Sequence, residues 1–247
     1  MRFRKQVLIS AGLSLFAASF SACASTTPGA QPHDMSAAHH DTMAANEDRN
    51  SQQHASHYSP DAAVKTDRCG RGGSAGHDFD GGCWTSTTNP TAAHLDEAKK
   101  HQKMAADHRA ASQVLRDAEA RACVGMSDDD RDESPFMHRE DIASVEPLTV
   151  SVTSGKVQSA RSEGAIVTFR ALPGMTAQWL QRIVDCHLAR NAALGHDVPE
   201  MPYCPLVPKN VTARVTAADS GFAVAIRSDD APTSQEVLRR ARALVTR

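Results

Sequence analysis

The sequence is poor in aromatic residues and has no excess of positive charge. Only 4% of its 247 residues are aromatic, and three of the seven phenylalanines (Phe3, Phe16 and Phe20) lie in the first 22 residues. With so few large side chains, we expect only one modest hydrophobic core. Without residues 1–22 the chain has 24 basic and 29 acidic residues, a net charge of −5. A mildly acidic chain with no wide basic patch argues against nucleic acid as a partner.

Signatures of the common enzyme classes are also missing. The chain has no nucleophile elbow between a predicted strand and helix, no zinc-protease helix motif and no thioredoxin-like cysteine pair. His138, Glu140 and Asp141 are predicted to share a loop suited to acid–base work, but no nucleophile accompanies them. We therefore expect a protein without catalytic activity.

The first 22 residues have the features of a secretory signal peptide. Three basic residues (Arg2, Arg4 and Lys5) precede an apolar stretch, and small residues end it just before Cys23. The apolar stretch is too short to span a membrane as a helix. We therefore expect export to an oxidising compartment, where disulfides form.

The run FSAC, from Phe20 to Cys23, resembles the lipobox of bacterial lipoproteins. The resemblance implies cleavage before Cys23 and diacylation of its sulfur, which makes a membrane the partner of the new N-terminus. Phe20 stands where the family usually has leucine or a similar aliphatic residue. Ala24 follows the cysteine, whereas aspartate there is associated with inner-membrane retention in enteric-type bacteria. The resemblance thus implies a lipoprotein of the outer membrane that faces the periplasm.

Residues 23–89 are rich in Ser, Thr, Gly, Ala, Asp and His and contain few large apolar side chains. Such a segment buries too little apolar surface to offset the entropy of ordering it, so we predict a disordered tether. The run His33–Met43 combines His33, His39 and His40 with two methionines. It resembles the His/Met-rich tracts of periplasmic copper-handling proteins, which bind ions weakly without preformed geometry. The alternative is a hydrophilic spacer that merely tolerates histidine.

Residues 90–124 are predicted to form one long helix, because Ala, Leu, Lys and Glu dominate and Gly125 follows as a stop. Residues 125–145 then form an irregular connection with a short helical turn from Ser127. One stripe of the long helix is polar where a coiled coil would show leucines, and it comprises His94, Glu97, His101, Met104 and His108. The last three are close neighbours. The stripe is either a solvated face or a metal-binding or pH-dependent contact.

Residues 146–247 contain an internal repeat. The segment that starts at Gly164 aligns without gaps with the segment that starts at Gly221, an offset of 57 residues. Apolar residues alternate in both copies, which predicts a half-buried strand, and Thr176 and Thr233 follow where a helix N-cap belongs.

A further strand is predicted before each copy, at Leu148–Val152 and at Val211–Ala217. The domain therefore has the order strand–strand–helix, twice. This pattern predicts an α+β fold with a four-stranded, mainly antiparallel sheet and two helices on one face. The long helix and the disordered N-terminal tether precede it.

The end of the first copy is dense in metal-binding side chains: Cys186, His187, His196, Met201 and Cys204. Thiolate, imidazole and thioether groups together suit copper(I) and related soft ions. The competing interpretation is a proline-rich loop closed by a disulfide. In that case His187, which occupies the place of a core leucine in the second copy, is a buried histidine held by hydrogen bonds.

Five cysteines remain beyond the lipidated one, and their pairing has two solutions. In the first solution, Cys69 pairs with Cys83 around a glycine-rich loop and Cys186 pairs with Cys204, so that Cys123 has no partner. Alternatively, Cys123 pairs into the C-terminal domain and frees one member of the last pair.

The sequence thus predicts a non-catalytic lipoprotein whose donor-rich segments bind copper or zinc. The alternative is an envelope structural or interaction protein, stapled by disulfides and without metal, that docks onto another envelope protein. A thiol-redox role, the third possibility, requires Cys123 or Cys186 to be exposed with a low pKa.

Overall fold

A computed structural model describes residues 27–69, 83–154 and 157–246. The predicted signal peptide and the predicted lipidation site, Cys23, lie outside these residues. The described residues form α1 (Ala37–His57), β1 (Val64–Cys69), β2 (Cys83–Thr88), α2 (Ala92–Ala122), α3 (Asp128–Asp132), β3 (Ile142–Ser154), β4 (Val157–Arg170), α4 (Ala177–Ala193), β5 (Thr212–Ala218), β6 (Gly221–Arg227) and α5 (Ala231–Val245). Within them, no helix has both the length and the apolar character needed to cross a bilayer.

Strands β3 to β6 form one antiparallel sheet in the order β3-β4-β6-β5. One face packs against α4 and α5, and the core between these layers includes Val167, Phe169, Leu180, Val184, Val224, Ile226, Val237 and Ala241. This confirms the predicted α+β fold of two strand–strand–helix units. The sheet begins earlier than predicted, because β3 starts at Ile142 within the expected connection.

The internal repeat is visible in the strand register. Val167 of β4 pairs with Val224 of β6, and these two residues are equivalent positions of the two copies. Pairing continues symmetrically to both sides, as far as Gly164 with Arg227 and Arg170 with Gly221. A local two-fold axis therefore passes between the two valines and relates one unit to the other.

The glycines that begin the two copies are required by this close pairing. Gly164 has φ 144°, and a Cβ atom there would lie 2.0 Å from the carbonyl oxygen of Ile226. Gly221 has φ 152°, and its Cβ atom would lie 2.0 Å from the carbonyl oxygen of Phe169. The two clashes are equivalent under the repeat, so the same backbone approach explains glycine in both copies.

The helix caps differ between the two units. Thr176 caps α4 as predicted, because its hydroxyl accepts a hydrogen bond from the backbone N–H of Trp179. The predicted cap at Thr233 is wrong. Helix α5 starts earlier, and Asp230 is its N-cap, whose carboxylate accepts hydrogen bonds from the backbone N–H and the hydroxyl of Thr233. Asp230 offers a stronger acceptor than a hydroxyl, so it fixes the start of the helix.

The prediction of disorder throughout residues 23–89 is wrong for residues 37–57, which form helix α1. The Ser36 hydroxyl caps the helix by accepting a hydrogen bond from the backbone N–H of His39. Ala37 and Ala44 are buried. The prediction failed because it counted large apolar side chains, whereas α1 buries small and polar residues against a neighbouring helix.

A two-stranded ribbon joins α1 to α2. Strands β1 and β2 pair antiparallel, and a disulfide links Cys69 to Cys83 at the end of the ribbon. This pairing was predicted. The glycine-rich segment between the two cysteines lies outside the described residues. Both strands are largely exposed, and Val64 and Trp84 are 55% and 57% exposed.

The long helix α2 has the predicted extent and is fixed to the α+β domain at its C-terminal end. A disulfide joins Cys123, which caps α2, to Cys186 of α4. The prediction of a Cys186–Cys204 bond is therefore wrong, and the alternative pairing through Cys123 holds. Leu115 of α2 packs against Ala193 of α4 at the same contact.

The connection after α2 contributes to the core. Ser127 caps the short helix α3, as predicted. Phe136 follows and is fully buried, with its ring centroid 5.5 Å from that of Phe169. The connection therefore closes one end of the sheet.

Candidate functional site

Helices α1 and α2 pack against each other through small residues that recur every seven positions. These residues are Ala37, Ala44 and Ser51 on α1, and Ala98, Ala105 and Ser112 on α2, and all of them are buried. The Ser51 hydroxyl donates a hydrogen bond of 2.9 Å to the carbonyl of Ala98. Small side chains let the two backbones approach closely, so the residues beside them are forced into contact across the interface.

A second seven-residue series lies beside the first and consists of titratable side chains. We call it the histidine ladder: His40, Glu47 and His54 on α1, and His108, His101 and His94 on α2. The helices run antiparallel, so the ladder has three rungs: 40 with 108, 47 with 101, and 54 with 94. Since seven residues of helix span about 10.5 Å, each rung is a separate pair.

The first rung is buried. The Nδ1 atoms of His40 and His108 lie 3.0 Å apart, and the two residues are 0% and 3% exposed. At this distance the N–H of one imidazole donates a hydrogen bond to the ring nitrogen of the other. Burial, and then the proximity of His40, lowers the pKa of His108. Among the described residues, His40 Nε2 has no hydrogen-bond partner.

The second rung joins an imidazole to a carboxylate. His101 Nδ1 lies 2.5 Å from a carboxylate oxygen of Glu47, whose side chain is only 9% exposed. The carboxylate accepts a hydrogen bond from the ring N–H and fixes the orientation of the imidazole.

The third rung is part of a larger group of imidazoles at the ribbon end of the two helices. The Nδ1 atoms of His54 and His94 lie 3.2 Å apart. The His54 ring also stacks on His101, with centroids 5.4 Å apart and planes inclined by 14°. The His57 ring lies 5.3 Å from that of His94. We call these four residues the outer cluster; unlike the first rung, it is partly accessible to solvent, since His57 is exposed and the other three are half-buried.

Ion pairs along the edge of the interface hold the ladder in register. Arg116 pairs with Asp41, and Arg109 pairs with Asp48, again at a spacing of seven residues on each helix. The nearby Ser112 hydroxyl, together with the Arg116 guanidinium, lowers the pKa of Asp41. These pairs are largely exposed, so they orient the helices more than they stabilise them.

The paired nitrogens are spaced as ligands of one ion would be. Two imidazole nitrogens bound tetrahedrally to zinc, each at 2.0–2.1 Å, are about 3.3 Å apart. The 3.0 and 3.2 Å separations of the two histidine rungs are close to this value. Each of these two histidine rungs supplies two nitrogen ligands. The proton shared between the two nitrogens must leave when an ion binds.

A three-ligand group occurs elsewhere. In the described part of the chain, donor atoms of three such side chains come within 4.8 Å of one another only at His138, Glu140 and Asp141. His138 and Glu140 are exposed on the connection before β3. Exposed groups of this kind are common on protein surfaces, so the cluster has no feature that singles it out as a site.

The predicted soft-metal site near the end of α4 does not assemble. Cys186 is bonded to Cys123, and the Cys204 thiol is buried against the Ser134 hydroxyl at 3.2 Å. Burial raises the pKa of Cys204, which disfavours the thiolate that a metal needs. Met201 is also buried in the core. No pair of thiolates is therefore free at this place.

The two histidines of that predicted site have structural partners. His187 is fully buried, and its Nε2–H donates to the backbone carbonyls of Glu133 at 3.0 Å and Asp130 at 3.2 Å. The Nδ1–H of His196 donates to the carbonyl of Val207 at 2.8 Å. Burial lowers the pKa of both histidines. His187 is thus a hydrogen-bonded core residue that ties α4 to the connection.

The other predicted ligands divide between the ladder and its surroundings. His40, His101 and His108 belong to the ladder, and Met104 is a half-buried neighbour on α2. His33 lies apart and lines a hollow between α2 and α4. His39 points to solvent.

The sequence analysis missed Glu47 and the pairing of α1 with α2. Contact of His54 and His57 with His94 was also not predicted. The signal was present, since His40, Glu47 and His54 have the same spacing as His94, His101 and His108. A seven-residue period shared by two helical segments indicates that they pack side by side, although the small residues Ala and Ser take the place of the usual large apolar ones here.

Comparison of the chain with known protein families, with curated proteins and with solved structures finds no match.

Proposed function

We propose that this protein is an exported, lipid-anchored periplasmic protein that binds zinc or copper(II) at the histidine ladder, chiefly at its outer cluster. The observation that carries the proposal is the matched seven-residue spacing on α1 and α2, which places imidazoles opposite imidazoles. Water or a neutral partner would satisfy a single histidine. A repeated series of facing imidazoles on two helices suits a cation that replaces the shared protons.

The donor set favours borderline divalent ions over copper(I). Of the cysteines in the described residues, four are bonded in pairs and Cys204 is buried in the core. The remaining donors of the ladder are imidazole nitrogens and the carboxylate of Glu47. Imidazole and carboxylate suit zinc and copper(II), whereas copper(I) prefers thiolate and thioether.

The geometry supports exchangeable binding. The two protein nitrogens of a histidine rung leave the remaining coordination positions to water, unlike the closed four-ligand sites of structural zinc. The outer cluster adds His57 and His101 beside the third rung, and small side-chain rotations would bring either one to the same ion. Such a site suits a protein that buffers or passes on ions.

The proposal also includes export of the protein and its attachment to a membrane through a lipid. The N-terminal residues resemble a lipoprotein signal that ends at Cys23, and both disulfides agree with an oxidising compartment. In this arrangement the lipid at Cys23 lies 14 residues before the start of α1, so the ladder would be held near the outer membrane.

A second candidate function is an interaction protein of the cell envelope that binds no metal. The exposed ribbon supports it, because Trp84 and Val64 present apolar surface at the far end of the paired helices. A thiol-redox role has less support, since Cys123 and Cys186 are bonded to each other and Cys186 is fully buried.

Calorimetric titration of the protein without residues 1–22 tests the proposal. Zinc and copper(II) should each bind, and the double variant His54→Gln/His94→Gln should weaken binding by at least about tenfold, because it removes both ligands of the third rung. The variant His138→Gln is the matched control, since it removes an imidazole of the exposed three-residue group and should leave the affinity unchanged.

Two results would contradict the metal-binding role. One is the absence of zinc and copper binding at micromolar protein concentrations. The other is an equal loss of affinity in the His138→Gln control, which would place the ion on the connection before β3. Release of about one proton per ion bound, measured in buffers of different ionisation enthalpy, would support displacement of the shared proton.

A further inference from the structure

A hollow of about 300 Å³ opens between the connection that precedes β3 and the first turns of α4. Its inner wall is formed by Phe169, Leu180 and Ile183, which are 2%, 0% and 3% exposed. Met175 and Trp179 form the outer wall, and Trp179 is 40% exposed. The hollow therefore combines a dry apolar interior with an aromatic ring near its mouth.

Four acidic residues line the hollow beside this apolar wall. Asp129, Asp130, Glu133 and Asp141 all line the hollow. Among the described residues, no Lys, Arg or His nitrogen lies within 4.0 Å of these four carboxylates, and the nearest histidine is His138, which also lines the hollow with a ring nitrogen within 4.8 Å of Asp141. By contrast, Asp128 forms an ion pair with Arg131 and does not line the hollow. The rim thus has four acidic residues without an ion-pair partner among the described residues, and one histidine beside them.

An apolar interior with an acidic rim favours one chemical class of ligand over others. An anion would be repelled by the rim, and a purely apolar molecule would leave the carboxylates without a counter-charge. A strongly hydrated metal ion would gain nothing from the apolar wall. An organic cation with an apolar body satisfies both parts, because the body fills the interior while the charge remains at the rim.

We propose that this hollow binds a small organic cation with an aromatic body, of the arylalkylamine class. The aromatic group would lie against Phe169, Leu180 and Ile183, and the ammonium would lie among the rim carboxylates beside the face of Trp179. The volume is at the lower end of the range for ligand pockets, so it fits a free small molecule better than a folded segment of a partner protein. This site is separate from the histidine ladder, and neither proposal depends on the other.

Tryptophan fluorescence provides a direct test, because the chain has only two tryptophans. In a Trp84→Phe background, Trp179 is the single reporter and lies at the mouth of the hollow. Titration with phenethylamine should change its emission saturably. The neutral analogue 2-phenylethanol and the anion phenylacetate should bind more weakly, in that order.

Variants that remove selected carboxylates test whether phenethylamine binds in this hollow. The double variant Asp129→Asn/Asp141→Asn should weaken phenethylamine binding about two- to fivefold for each carboxylate removed, as expected for solvent-exposed ion pairs. Asp128→Asn removes the same charge one residue away, outside the lining, and should change the affinity little. Circular dichroism of each variant verifies that the fold is retained.

Four outcomes would overturn the proposal. The first is 2-phenylethanol binding as tightly as phenethylamine, and the second is Asp128→Asn having the same effect as the double variant. The third is a capped Ala-Phe-Lys-Ala peptide binding more tightly than the amine, which would assign the hollow to a protein partner. A Trp179 signal that does not respond to millimolar phenethylamine would also overturn it.

Discussion

His108 is a titratable side chain enclosed between two helices, and its surroundings favour the neutral form. Burial lowers its pKa, and the adjacent His40 acts in the same direction. His187 and His196, in the α+β domain, also have pKa values lowered by burial. The folded protein therefore takes up fewer protons at these three histidines than the unfolded chain does.

We expect the protein to lose stability as the pH falls below about 6.5, the ordinary pKa of histidine. The unfolded chain binds protons from that pH downward, whereas the folded histidines resist protonation until the pH reaches their lower pKa values. Thermal unfolding with a chelator present should give a lower Tm at pH 5.5 than at pH 7.5. In the His108→Gln variant, which cannot be protonated at this position, the difference should be smaller. An unchanged difference would show that His108 contributes nothing to the pH dependence.

Gly164 and Gly221 are single residues on which the duplicated sheet depends. Gly164→Ala should destabilise the protein, because its Cβ atom would lie 2.0 Å from the carbonyl oxygen of Ile226. Gly174 also has a positive φ, 85°, but no atom lies within 4 Å of its Cβ position. Chemical denaturation should show Gly164→Ala to be less stable than Gly174→Ala by about 1–3 kcal/mol. Equal losses would mean that φ alone, and not the close pairing of β4 with β6, requires glycine.

At the scale of elements, the close approach of α1 to α2 depends on small residues. Ala105 is fully buried at the interface, and its neighbour Ala106 is exposed. Ala105→Leu should destabilise the helical pair by about 1–3 kcal/mol, because the larger side chain forces the helices apart. Ala106→Leu is the matched control and should change stability by less than about 0.5 kcal/mol.

Hydrogen exchange measures this effect where it occurs. Amides of α1 should exchange faster in Ala105→Leu than in the unaltered protein, while amides of β4 and β6 keep their protection. If α1 exchanges rapidly in the unaltered protein as well, the helix is not held against α2 and the ladder has no stable geometry.

The elements that the sequence predicted are those with strong local signals. The alternating apolar residues around Val167 and Val224, the helix-forming composition of α2 and the cap at Thr176 each depend on neighbours along the chain. The Cys69–Cys83 pairing also follows from short spacing. These features were confirmed because packing agrees with the local preference in each case.

The errors arose where distant parts of the chain meet. Helix α1 has little apolar surface, so its existence depends on the seven-residue match with α2. The choice between Cys123 and Cys204 as partner of Cys186 depends on how α2 docks on α4, and spacing alone does not determine it. The failed soft-metal site near Cys204 is a consequence of that choice, because the disulfide and the core take up its thiols.

At the scale of the whole molecule, the duplicated domain holds the histidine ladder in place. The Cys123–Cys186 disulfide and the Leu115 contact fix the end of α2 to α4, and the two helices continue from there to the ribbon. The buried first rung lies nearer to the domain, and the outer cluster lies toward the ribbon. Ions can thus reach the outer cluster while the packed end of the helices keeps the pair aligned.

The central claim is that zinc or copper(II) binds between α1 and α2. Nitrogen-15 NMR of the imidazole groups, during a zinc titration of the protein without residues 1–22, tests it most directly. The account predicts that the ring signals of His54 and His94 change first and saturate together, with His187 and His196 unaffected. Contradiction would come from outer-cluster signals that stay unchanged while histidines elsewhere, such as His138, shift with zinc.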